Sequence, residues 1–230
     1  MFWIDHWYIV LVLPAMILGL IAQVKVKSTF DKYSTVYSRR GYTGADIARR
    51  ILDKNGLYHV RVERIPGHLT DHFDPRDNVV RLSESVYGSS SVASIGVAAH
   101  EVGHAIQYAK SYAPMKVRSA IIPVTRFGST VAPLLIMLGF LAYIDPLIIV
   151  GIVLYSSIAL FQLVTLPVEF NASRRALATL EREGILDREG ELSGARRVLS
   201  AAAMTYVTAL IMSLAYILRF LLLFAGRRRD

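Results

Sequence analysis

The sequence predicts a mainly α membrane protein of about four transmembrane helices, with a zincin-like α+β domain inserted on the cytoplasmic side. Three observations predict it. Residues 8–24, 129–144, 147–166 and 201–218 are four runs without a charged side chain, and a helix crosses a bilayer with ~20 apolar residues, ~17 at the lower end. The polar stretch between the first two runs carries helical and alternating patterns and contains His100-Glu101-Val102-Gly103-His104. The basic residues gather around it: residues 25–126 hold 16 lysines and arginines, and 168–199 hold six more. The averages agree, since 53% hydrophobic residues and a mean hydropathy of +0.41 are too apolar for a soluble domain.

The first run reads as a permanent span. A cleaved signal peptide opens with positive charge, and the first basic residue here is Lys25, after the apolar run. Lys25, Lys27, Lys32, Arg39 and Arg40 then place the following segment in the cytoplasm by the positive-inside rule. Residues 25–42 are a connector. Thr43-Gly44-Ala45-Asp46 is a helix start, with Thr43 as cap and Asp46 at the third position. Ala45, Ile47, Ala48, Ile51 and Leu52 form its apolar face, and Gly56 stops it. Residues 58–65 alternate as a strand ended by Pro66-Gly67, and 77–83 form a second strand after the turn-rich stretch 71–76. That second strand is expected at the sheet edge, where an extended peptide could pair with it.

Residues 91–109 form the helix on which the rest depends. Ala93, Ala98, Ala99, Ala105 and Ala109 favour it, while Gly96 and Gly103 leave room for another element to approach. In a helix His100 and His104 lie one turn apart on one face, as two imidazoles sharing a metal must. Glu101 can then reach a metal-bound water, which is the H-E-x-x-H pattern of zinc proteases. Zinc acidifies such a water to a pKa of ~7, and the glutamate takes its proton.

A Pro-interrupted amphipathic passage leads from Tyr112 to Arg126, and the second span carries Pro133. Asp145-Pro146 reads as a tight turn outside the membrane, and the third span returns to Pro167. Residues 174–199 read as a charge-mixed helix leading into the last span. There Arg219 can snorkel to the interface.

A catalytic zinc needs a third protein ligand. The H-E-x-x-H-x-x-G-x-x-H solution is closed, because Gln107 and Lys110 stand at the glycine and third-histidine positions. His6, His59, His68 and His72 have no helix-fixed spacing to the pair. Glu169 fits best. It sits where the third span leaves the membrane, follows Pro167, and precedes the small Ala172 at a helix approach. An ion pair with Arg174 or Arg175 is the competing use of that carboxylate. Tyr206, His72 and Arg174 are candidates for an oxyanion or substrate contact, and the sequence does not choose among them. His68, Asp71, His72 and Asp74 could line the site or serve turn chemistry.

The segments GHLTDHFDPRDNVVRLSESVY, GVAAHEVGHAIQYA, LPVEFNASRRAL and GARRVLSAAAMTYV, in that order, resemble the YugP-like neutral zinc metallopeptidases of bacterial membranes. The resemblance runs from about Tyr33 to the last span. It implies a membrane-embedded zinc endopeptidase with His100, His104 and Glu169 as ligands and Glu101 as base. HtpX-type membrane proteases are more distantly similar. They carry Glu-x-x-Ala-Asp where this chain reads Glu169-Phe170-Asn171-Ala172-Ser173, so Ser173 replaces the carboxylate that would support a ligand histidine.

The expected divisions are a first span at 1–24 and a zincin-like domain with the H-E-x-x-H helix at 25–126. A helical hairpin follows at 127–167, then a ligand-bearing helix at 168–199 and a last span with basic tail at 200–230. The expected activity is zinc-dependent hydrolysis of peptides or membrane-proximal protein segments, in a bacterial-type cytoplasmic membrane with Zn2+ as cofactor and the lipid bilayer as surroundings. A non-catalytic zinc-stabilised scaffold or chaperone is the alternative, and an intact Glu101 counts against it. A metal transporter would place ionisable groups inside the spans, which these runs lack. The net charge of +8 does not indicate nucleic acid, because the basic residues flank spans and form no aromatic-interleaved stripe.

Overall fold

A computed structural model describes residues 4–187 and 190–227. A π-helical turn Tyr8–Val12 leads into α1 (Leu13–Ser34), followed by α2 (Gly44–Lys54), β1 (Arg61–Ile65), β2 (His72–Asp74) and β3 (Val79–Ser83). Then come α3 (Glu84–Tyr87), α4 (Val92–Ala109), α5 (Ala113–Leu141), α6 (Asp145–Arg182) and α7 (Glu191–Arg227). The fold is mainly helical with one small sheet. Four helical stretches are long and apolar enough to cross a membrane: Tyr8–Ser34, Ala113–Leu141, Asp145–Arg182 and Glu191–Arg227.

The chain forms two compact units, one of Val24–Met115 with Pro167–Ala203 and the other of the remaining segments. In the first, local chemistry fixes each element. Thr43 and Asp46 form a reciprocal capping box at α2, and Ser91 accepts the Ser94 N–H to start α4. The sheet has order β1-β3-β2, with β1 parallel and β2 antiparallel to β3. Its core joins Ile47, Ile51 and Leu52 of α2 to Val80 and Leu82 of β3 and to Ile95, Ala98 and Val102 of α4. Leu180 of α6 and Leu192, Ala195 and Leu199 of α7 close it. Burying these side chains, at ~25 cal/mol per Å² of apolar surface, is the main force that holds α4 against α6.

Several expectations need correction here. The first strand is shorter, because Arg49 donates to the Val60 and Leu57 carbonyls (2.6 and 3.0 Å) and holds 57–60 as a turn. The strand within 77–83 is central, not an edge. His72–Asp74, inside the stretch read as turns, pairs with it and takes the edge position. The passage from Tyr112 to Arg126 is not separate from the second span: α5 runs from Ala113 to Leu141 through both Pro123 and Pro133. Asp145 and Pro146 open α6 rather than form the turn. Pro167 lies inside α6, so no helix restarts there. α6 instead ends at Arg182, just before Gly184 with φ +57°, and α7 begins at Glu191, so 174–199 is not one helix.

In the other unit, Ile136, Ile148, Ile152 and Phe220 pack with Tyr155 and Tyr216. Val153, Leu160, Leu163, Leu214 and Leu221 face outward, as lipid-facing side chains would. Arg219 packs inside this unit. It is buried and donates to Asp5 Oδ2 (2.8 Å from Nε), beside the rings of Tyr8 and Phe220. Arg227 pairs with Asp145 at 3.2 Å and covers the Tyr143 ring.

Candidate metal centre

The helical repeat of α4 puts His100 and His104 on one face, with ring centroids 4.7 Å apart. α6 crosses this face where neither helix has bulk. A Cβ on Gly103 would stand 2.9 Å from the Ala172 carbonyl oxygen and 3.2 Å from its Cα. Only glycine permits that approach without displacing backbone. The crossing brings in Glu169, 3% exposed, whose Oε2 lies 3.4 Å from His100 Nε2 and 3.6 Å from His104 Nε2. Each of the three residues offers one donor atom within 4.8 Å of the others. Donors held ~2.0–2.1 Å from one tetrahedral zinc ion stand about 3.4 Å from each other. Two imidazoles and a carboxylate at this spacing therefore fit zinc, with one position left for water.

Both ring nitrogens on the far side are engaged. His104 Nδ1 lies 3.0 Å from Gln107 Oε1, and His100 Nδ1 lies 3.1 Å from Ser173 Oγ. Glu101 is buried outside the three-donor cluster, and its Oε2 accepts the Phe73 N–H of β2 at 3.1 Å.

The electrostatics follow from this packing. Burial alone would raise the Glu169 carboxyl, but the two imidazoles hydrogen-bonded to it outweigh this and hold it well below the usual carboxylate range. Burial would lower His104, yet its hydrogen bond to Glu169 and the charge of Glu101 leave it raised. Asp71 is raised by burial, against the hydrogen bonds from Ser83, with the Glu101 charge adding to the rise.

The other candidates are placed as follows. His72 is exposed, with Nδ1 2.8 Å from the Thr70 carbonyl. Arg174 is exposed and lines a cleft of about 480 Å³ with Ser173, Phe170 and Arg196. Tyr206 belongs to the other compact unit. His68 stacks edge-on against Phe30, Asp71 accepts from Ser83 N and Oγ, and Asp74 pairs with Arg81. His6, His59, His68 and His72 are not part of any donor cluster among the described residues.

Gln107 entered the sequence reading only as the residue that closed one ligand pattern, yet it touches His104 directly. The missed signal was its position. A polar residue three places after His104 shares its face of an otherwise apolar helix, and a buried amide must find partners.

Residues 8–225 match the family described as "Putative neutral zinc metallopeptidase". The chain belongs to that family. It is also 52% identical, over 97% of its length and 99% of the relative's, to the Bacillus subtilis protein named "Putative membrane protease YugP". No solved structure matches the chain.

Proposed function

We propose that this chain is a membrane-embedded zinc endopeptidase whose zinc is held by His100, His104 and Glu169 and whose general base is Glu101. The observation that carries the reading is the donor set: the Nε2 atoms of His100 and His104 lie 3.4 and 3.6 Å from one Glu169 oxygen, near the spacing of ligands on one tetrahedral ion, and a second carboxylate, Glu101, stands next to His100 in sequence but outside the set. Bound there, zinc would supply an acidified water and polarise the scissile carbonyl. The chain's own residues do the rest. The Phe73 N–H fixes one oxygen of Glu101 and leaves the other to take a proton and pass it to the leaving amine. β2, the outer strand beside α4, replaces β3 as the edge along which an extended peptide would lie. Of the three oxyanion candidates we keep Arg174, because it shares the cleft that reaches Ser173. The zincin-like unit faces the cytoplasm in this reading, on the strength of the basic residues around it.

The test uses the detergent-purified protein. Wild type should carry about one zinc per chain, set by its three-ligand site, and should cleave casein or peptides. Glu101→Gln should keep zinc and lose turnover. His100→Ala, His104→Ala and Glu169→Ala should each lose zinc. An active Glu101→Gln protein overturns the protease reading, and zinc retained by Glu169→Ala places the third ligand elsewhere.

A further inference from the structure

Gln107 is fully buried and connects the metal helix to α6. Besides its contact to His104, its amide nitrogen donates to the Val168 carbonyl at 2.8 Å and to Asn171 Oδ1 at 3.0 Å. Asn171 Oδ1 also accepts from Arg175 Nε at 2.7 Å. His104, Gln107, Asn171 and Arg175, with the Val168 carbonyl, form a chain of hydrogen bonds with only one consistent direction.

The direction follows from the donors. An arginine Nε–H cannot accept, so the Asn171 atom facing it must be the oxygen. The Val168 carbonyl can only accept as well. The end of Gln107 that meets both acceptors is therefore its NH2 group, and the end that meets His104 is its oxygen. An amide oxygen cannot donate, so His104 Nδ1 must carry the hydrogen. In the neutral ring the lone pair then sits on Nε2, the atom facing Glu169. We infer that Gln107 is a positioning residue that locks His104 in the metal-binding tautomer, with Arg175 setting the direction of the lock through Asn171. Resting on the zinc reading above, the inference adds a division of labour between the two histidines. Ser173 can donate or accept, so its contact orients the His100 ring without choosing a tautomer. At this burial no solvent can substitute for the amide.

The test compares Gln107→Leu and Asn171→Asp with wild type in detergent. An aspartate at 171 still accepts from both Gln107 and Arg175, so Asn171→Asp should hold zinc within about twofold of wild type, the lock being intact. Gln107→Leu should weaken zinc binding ~10–100-fold in chelator competition, as loss of such a ligand-supporting contact does. 15N-histidine NMR supplies the second readout. The His104 Nδ1–H signal should persist in wild type and Asn171→Asp, whereas in Gln107→Leu the ring should lose its preference for that tautomer and its two 15N shifts should move toward each other accordingly. Should Gln107→Leu not fold, Gln107→Met carries the same comparison. If wild type binds no zinc, the metallopeptidase reading fails. If wild type binds zinc and the apolar variant matches it in affinity and in the His104 signal, the lock is overturned while that reading stands.

Discussion

Two ionisable side chains of the site, His104 and Glu169, are shifted in opposite directions, and this gives the site a pH dependence of definite sign. In the metal-free protein His104 keeps a proton above its ordinary range near 6.5, because Glu169 and Glu101 outweigh burial. A raised histidine contributes its stability fully below the unfolded value and loses it as pH rises through the folded value. Metal-free protein should therefore show a falling thermal midpoint as pH climbs from 6 to 8. Zinc must displace the same proton, so its affinity should move the other way, falling about tenfold per unit as pH drops below the His104 value. Glu169, held far below the usual range, adds nothing to either trend at these pH values. Chelator competition and thermal melts over that interval check both signs, and parallel trends would remove His104 from the site. The closeness of His100 and His104 was legible in the sequence because one helical turn dictates it. The partners of the two ring Nδ1 atoms were not, since Ser173 reaches His100 across 73 positions and only the crossing of α4 and α6 brings them together.

The crossing itself was partly legible. Gly103 and Ala172 announce a close approach, but a sequence does not say that the two small residues face each other. Their contact makes an element-scale prediction. A methyl at position 103 would stand 2.9 Å from the Ala172 carbonyl oxygen and must push α6 backbone away, carrying Glu169 with it. Gly103→Ala should destabilise the polar unit by ~1–3 kcal/mol, the usual cost of overpacking, and weaken zinc binding, while α4 gains helix propensity. Thermal melts and chelator competition read the two effects. Wild-type zinc affinity in Gly103→Ala would mean that the helix spacing does not set the ligand geometry. One strand of the sheet failed to show in the sequence for a different reason. Asp71, Asp74, Pro75 and Asp77 are turn formers, and the three residues His72–Asp74 are too few to display alternation, so the true edge strand was hidden inside a turn signal.

At the scale of the molecule, the four spans were legible from run length and absence of charge, but the course of the last one was not. Arg219 and Arg227 near its end set the positive-inside rule against a full crossing, and a helix lying partly in the interface would have satisfied the rule. We propose a full crossing, which two ion pairs within this unit support. Arg219 is paired with Asp5 at the start of the first helix, and Arg227 with Asp145 at the start of α6. Each arginine is thereby paired with a carboxylate, which removes much of the cost of placing it away from the cytoplasm. Single cysteines test this cleanly because the chain has none of its own. Gly88, Ala142 and Gly226 are exposed, and added side chains at the two glycines meet nothing within 4 Å. With an impermeant thiol reagent on intact cells, cysteines at 142 and 226 should label and one at 88 should label only after lysis. Labelling at 142 without 226 would mean that the last helix does not cross, and labelling of intact cells at 88 would move the metal centre to the outer side.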